Sequence, residues 1–317
     1  RNRITKTVLV IDEAQDMDKH EYALIRALME QNEEMRVIAV GDDDQNIYEF
    51  RGARSEYLED FMKKQNATVF ELVENYRSKS NLVHFSHQFV QTLQHRLKRN
   101  PIMSVTAENG RIKVVHYQSD TLLVPLVKDI LSADLSGTTC VLTHDNEEAR
   151  QITGMLLKEG MPARLIQSND GFNLYHLLEV RFFLDQLQLK DDTFLIAAED
   201  WEHAKKALKD QFRNSTKLPL CLNLLEDFET THPKRKYRSD LEVFIRESKL
   251  EDFYHAGSET IMVSTIHKAK GREFDNVFLL LPNFYPKTEE QKRQVYVALT
   301  RAKQNLSVHL NRNFLTG

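Results

Sequence analysis

Cysteine is almost absent: Cys140 and Cys221 are the only two in 317 residues, far apart and each in an apolar context. This excludes a disulfide framework and a cysteine-ligated zinc site, and it fits a reducing, cytoplasmic setting. No apolar run approaches the roughly 20 residues needed to span a bilayer, and no secretory signal opens the chain, so no membrane partner is expected. Neither charge sign dominates. A formal net charge of −4 rules out nonspecific coating of a polyanion by bulk charge but leaves room for a local basic channel. There is no short-period repeat and no low-complexity segment. Nowhere does Gly-x-x-x-x-Gly-Lys-Ser/Thr occur, so the backbone cradle and lysine of a phosphate-binding loop are missing. Arg1 lacks an initiator Met and stands only about six residues before an apolar run, and the expectation is a fragment of a longer protein.

What is present begins at Thr7. An apolar run to Ile11 breaks into Asp12-Glu13-Ala14-Gln15-Asp16, and a second, Val37 to Val40, breaks into Gly41-Asp42-Asp43-Asp44-Gln45. Unbroken Val/Ile/Leu runs suit parallel strands covered on both faces, and ligands bind at the carboxyl ends of such strands. Asp12, Glu13, Asp42 and Gln45 are therefore expected at one crevice. Gathered carboxylates suit a cation, and Mg²⁺ prefers one or two carboxylates plus water and phosphate oxygens. The plain alternative is a pair of polar loops with acids chosen for solubility.

The rest of the chain reads as alternating strands and helices. Asp18 can cap a helix, and further elements follow at residues 54–64, 67–72 and from Ser78 or Ser80 to about Arg96. From Arg111 a second series runs: strand to Tyr117, helix 120–131, strand 138–143, helix 146–159 ended by Gly160, strand 163–166. Helical periodicity dominates from Leu174 to about Phe253, a stretch that includes Trp201 and the basic run 232–238. That run reads as a solvated face or a nucleic-acid contact. Strands at 260–265, 276–281 and 306–310 and a helix from Thr288 close the chain.

The charges separate by position. Acids sit in the first unit, while Lys268, Lys270, Arg301 and Lys303 sit in the second, with Arg77 at the junction. An acidic metal site facing arginines across a cleft is what phosphoryl transfer from a nucleotide requires. Tyr48, Phe50 and Arg51 share a loop and suit either a stacking platform for unpaired bases or ordinary core filling.

Five segments, Asp12 to Asp16, Gly41 to Ala53, Asn75 to Ser78, Thr265 to Phe274 and Tyr296 to Lys303, resemble in order five consecutive motifs of the UvrD/Rep branch of superfamily 1 helicases. The resemblance spans nearly the whole chain and implies an α/β fold of RecA-like parallel sheets flanked by helices. Residues 1–78 would end a first lobe, 79–188 and 258–317 would form a second, and 189–257 would be a small helical insertion. It also implies ATP and Mg²⁺ as cofactors and single-stranded DNA as partner, with 3′ to 5′ movement and repair or recombination proteins as associates. Asp12 would hold Mg²⁺ and Glu13 would orient or deprotonate the attacking water. Gln45, Arg77 and Arg301 would meet the γ-phosphate. Tyr76 would stack on the adenine, and Gly271 and Glu273 would lie on the ribose side. Tyr48, Phe50, Arg51, Thr265 and His267 would contact the single strand. Phe50 stands where many relatives have Trp, and Arg272 replaces a usual Leu. Two rival readings are a non-catalytic binding remnant of such a motor and a subunit of a helicase–nuclease.

Overall fold

The computed structural model describes residues 7–32, 34–64, 67–166, 174–187, 195–248 and 260–315. It opens with β1 (Val8–Ile11), α1 (Lys19–Gln31), β2 (Arg36–Ala39) and α2 (Ser55–Lys64). The two strands are parallel neighbours, Leu9 opposite Val37 and Ile11 opposite Ala39. Asp18 caps α1 as expected: its carboxylate accepts the His20 and Glu21 N–H groups while Glu21 reaches back to the Asp18 N–H, a reciprocal capping box. The two helices cover one sheet face through Ile25 and Phe61, joined by Met17 from the turn before α1. The other face is open, with Val10 61% and Ile38 51% exposed, so the expectation of cover on both faces does not hold among the described residues. An apolar run signals a two-sided strand without saying which segment supplies the second cover.

The strand expected at 67–72 is absent, and Phe70 and Leu72 are exposed. A β-prone run becomes a strand only where a ladder partner is in reach, and here the neighbouring segment is held elsewhere. The Glu71 carboxylate accepts the Arg99 and Asn100 N–H groups, and β3 (Glu74–Asn75) pairs in parallel with a distant two-residue strand at Met103–Ser104. Between them α3 (Ser80–Val90) stops at Val90 rather than near Arg96, because Arg96 and Leu97 turn away to the acidic loop. Neither Ser78 nor Ser80 caps it; the Ser78 hydroxyl donates to the Ala302 carbonyl at 2.7 Å.

After β4 (Met103–Ser104) come β5 (Arg111–His116), α4 (Leu123–Ser132), β6 (Thr139–Thr143), α5 (Asn146–Lys158) and β7 (Ala163–Leu165). The chain then runs through α6 (Leu178–Gln186), β8 (Leu195–Ile196), α7 (Ala198–Gln211), α8 (Leu218–Thr231), β9 (Lys236–Tyr237) and α9 (Arg238–Glu247). It returns as β10 (Ile261–Thr265), β11 (Phe274–Leu281), α10 (Glu289–Leu299) and β12 (Ala302–Leu310). Six strands form one sheet in the order β5-β12-β11-β6-β10-β7, every pair parallel, which is the α/β class expected. Alternate residues of β11 serve opposite faces, as a two-residue period requires. Val277, Leu279 and Leu281 join α3 and α10, while Phe278 and Leu280 join α4 and α5.

Residues 167–257 form a separate unit. Its core joins Phe183, Trp201, Leu208, Leu224, Phe228 and Ile245, so α6 belongs to this helical unit although the sequence set the insertion's start at residue 189. The stretches 188–194 and 249–259 of the expected helical region lie outside the described residues. The basic run divides: His232 stacks on Phe228 and Lys236 sits 5.4 Å over the Trp201 ring, while Lys234 and Arg235 are exposed. No helix among the described residues is long and apolar enough to cross a membrane.

Candidate functional site

The carboxyl ends of β1 and β2 lie side by side: the Val40 N–H donates to the Ile11 carbonyl and the Ala14 N–H to the Val40 carbonyl, both at 2.8 Å. Asp12 and Glu13 leave β1 into solvent. Glu13 adopts the left-handed region at φ 49°, a conformation costing a side-chain-bearing residue about 1–2 kcal/mol and found mostly at working sites. Gln15, given no role from sequence, is fully buried and spans the two strand ends. Its Nε2 donates to Glu13 at 2.5 Å and its Oε1 accepts the Asp42 N–H at 2.8 Å. Gly41 permits this approach, since a Cβ there would lie 2.6 Å from Gln15 Oε1.

The acidic loop is internally neutralised. Asp44 is buried in a two-point contact with Arg96, and Lys98 Nζ lies 2.7 Å from Asp42 and 3.1 Å from Asp44. Burial pushes Asp44 up, but Arg96 and Lys98 outweigh it and hold the carboxyl below its ordinary range. Burial and the charge of Asp44 push Asp43 up to about 6. Asp42, Asp43 and Asp44 are close enough to share a cation, yet arginine and lysine already answer their charge. Among the described residues the exposed Asp12 carboxylate accepts the adjacent Glu13 N–H, at 2.9 Å, so it could offer an oxygen to a cation such as Mg²⁺, which takes few protein ligands.

Gln45 faces both sides. Its Nε2 donates to Asp42 at 2.8 Å, and its Oε1 accepts from Arg301 Nη2 at 3.1 Å. Arg301 is not on an open surface, being 1% exposed; its Nε donates to the Val297 carbonyl and its Nη1 to the Arg272 carbonyl. Burial and the like charge of Arg77 pull Arg301 down to about 10, so it remains charged at neutral pH. Arg77 is placed by Asn75, whose Oδ1 accepts the Arg77 and Ser78 N–H groups. Its guanidinium donates to Glu273 and to the Thr300 carbonyl. Burial raises Glu273, but Arg77 and then Lys303 outweigh it and keep the carboxyl ionised. Tyr76 projects with its ring 78% exposed, its hydroxyl donating to Glu74. Gly271 has φ 79° with open space beside it, so its requirement is torsional rather than steric.

The aromatic loop lies against the residues following β10. Phe50 is 64% exposed and meets the His267 ring edge-on at 5.6 Å. Tyr48 is half-buried, its hydroxyl donating to the His267 carbonyl at 3.2 Å. The Arg51 guanidinium sits 5.4 Å from the Tyr48 centroid. Phe50 thus presents an open ring, whereas Tyr48 partly fills the space beneath the loop. Burial, then His144, pulls His267 below its usual range, so its ring is neutral at pH 7. Thr265 is buried, leaving His267 as the side chain of the pair that meets the surface. Lys270, quoted from sequence only as a cation, donates to Asp16 at 2.5 and 2.7 Å and stands 3.7 Å from Glu13.

Two family models match the chain. The UvrD/REP helicase N-terminal domain matches residues 1–66, and the UvrD-like helicase C-terminal domain matches residues 70–197 and 188–313. DNA helicase II of Haemophilus influenzae is 22% identical over 95% of this chain and 54% of its own length. The ATP-dependent DNA helicase Rep of Buchnera aphidicola is 21% identical over 94% of this chain and 62% of its own. The ATP-dependent DNA helicase PcrA of Staphylococcus epidermidis is 28% identical over 56% of this chain and 25% of its own. The chain therefore spans about half the length of the first relatives it matches. With two adjoining family models covering nearly all its residues, the chain belongs to the UvrD/Rep-like helicase family.

Proposed function

We propose that this chain is part of an ATP-dependent DNA helicase that couples ATP hydrolysis to movement along single-stranded DNA, 3′ to 5′. The observation that carries the reading is the chain of contacts from Asp42 through Gln45 to Arg301, which joins the strand-end acids to a buried arginine on the far side of the site. In this reading Glu13 takes a proton from the water attacking the γ-phosphate, and Gln15 holds its carboxylate in place. Arg77 and Arg301 answer the charge that develops on the transferred group. Asp12 would hold Mg²⁺, which would supply neutralisation of phosphate charge. Tyr76 offers a stacking face for the base and Glu273 a carboxylate for ribose hydroxyls. Phe50, Tyr48, Arg51 and His267 form the nucleic-acid face, with bases stacking on Phe50 and Thr265 acting from beneath. Repair or recombination proteins in the cytoplasm are the associates this activity would serve.

The test is ATP hydrolysis by the full-length protein with and without single-stranded DNA. Stimulation that disappears in Glu13→Gln is expected, and a rate indifferent to DNA would refute the motor. The 317-residue chain by itself is expected to show no DNA-stimulated hydrolysis, since its sequence contains no phosphate-binding loop. Measurable stimulated turnover by this chain would show that loop to be dispensable. A second reading is a DNA-binding remnant without a motor. It predicts single-strand binding with no hydrolysis even at full length.

A further inference from the structure

Helix α10 ends at Leu299, two residues before Arg301. Within it, eight and seven residues before Arg301, Arg293 and Gln294 are both buried. Arg293 Nη1 donates to Glu49 at 2.6 Å, and Gln294 Nε2 lies 3.4 Å from His267 Nε2. Glu49 stands between Tyr48 and Phe50, inside the aromatic loop itself. The same loop is tied to the turn that follows the helix by Gln45 and Arg301, at 3.1 Å. The loop therefore meets the segment made of the helix and its following turn at two points, four residues apart on the loop and eight on that segment. One contact would act as a pivot, whereas two prevent the loop from turning without carrying the helix along. His267, the half-buried ring beside Phe50, is joined to the same body through Gln294 and through a hydrogen bond to the Ile47 backbone. Arg293 Nε and Gln294 Oε1 are buried with no hydrogen-bond partner among the described residues. Unspent capacity of this kind points to a second arrangement of the contact in which those atoms are satisfied.

We propose that the Arg293–Glu49 ion pair is a clamp linking the base-stacking loop to α10, so that occupation of the Phe50 face by a nucleic-acid strand sets the position of Arg301 relative to Gln45. Arg293 is then a positioning residue and touches neither nucleotide nor strand. The inference rests on the helicase reading above. Its test uses the full-length protein, measuring ATP hydrolysis without DNA and with saturating oligo(dT), and oligo(dT) affinity by fluorescence anisotropy. Glu49→Gln and Arg293→Gln should each lower the DNA-stimulated rate about tenfold, within the usual range of coupling between sites. The DNA-free rate and the affinity should change less than about threefold on the same scale. Arg293→Lys, which keeps the charge, should recover part of the stimulation and guards against a folding defect in Arg293→Gln. Unaltered stimulation in both Gln variants, with a stimulated wild type, overturns the clamp alone. Affinity falling in step with stimulation makes Glu49 and Arg293 binding residues and also overturns it. A wild type that DNA does not stimulate overturns the helicase reading, and the clamp with it.

Discussion

At the scale of single residues, the acidic loop shows how one local pattern yields unlike groups. Asp42, Asp43 and Asp44 are consecutive and chemically identical, yet Asp44 is held ionised by Arg96 and Lys98 while Asp43 is pushed up to about 6 from an ordinary 3.8. For Asp43 the native state binds more proton than the unfolded state between those two values. Its contribution to stability is therefore fully present below about pH 4 and is lost as pH rises through about 6. Asp43→Asn keeps an oxygen to accept the Leu97 N–H and removes the charge. We expect it to stabilise the protein at pH 7.5 by about 1–3 kcal/mol and to give no gain at pH 4, read from urea unfolding at both values. Equal effects at the two pH values would show that Asp43 does not titrate as described. None of this was legible in sequence, because Arg96 and Lys98 lie more than fifty positions away and arrive only when α3 ends early. That Asp12, Glu13, Asp42 and Gln45 follow neighbouring strand ends was legible, since adjacent parallel strands end together. The strained φ of Glu13 and the bridge made by Gln15 were not.

At the scale of elements, helix starts were easier to read than helix ends. Thr288 announces α10, and the structure shows the reciprocal bonds: the Thr288 hydroxyl accepts the Gln291 N–H, and Gln291 Oε1 accepts the Thr288 N–H. Thr288→Ala should cost about 1 kcal/mol, with Thr288→Ser close to wild type, checked by thermal or urea unfolding. No difference between the Ala and Ser variants would mean the cap contributes nothing. The start of α10 depends on residues three apart, so local sequence determines it. The end of α3 depends on the ion pair of Arg96 with Asp44, and helical periodicity through Leu93 overrode the correct boundary in the sequence reading. Residues 67–72 failed for a related reason: β propensity without a partner strand leaves a run in coil. Arg301 is held at this scale: its guanidinium bonds the Val297 carbonyl of α10, the Arg272 carbonyl before β11 and the Gln45 amide.

At the scale of the molecule, the chain holds one unit built on parallel sheets and another, residues 167–257, with its own aromatic core. Trp201 is the only tryptophan and lies buried in that second core, so its fluorescence reports that unit alone while far-UV circular dichroism reports both. We expect the two urea unfolding curves to be displaced from one another, because separate cores have no reason to share one midpoint. Superimposable curves would show the two cores to be a single cooperative system. Sequence by itself determined the α/β class, the alternation of strands with helices, and which charged clusters follow which strands, because periodicity, capping and strand-end chemistry act over a few neighbouring residues. It determined the family as well, since five ordered motifs span the chain. Only the tertiary structure decided that Lys98 and Arg96 neutralise the acidic loop, that Arg301 is buried against Gln45, and that Arg293 reaches Glu49. Those contacts join residues from 52 to 256 positions apart, and packing free energy, not local propensity, selects which distant groups meet.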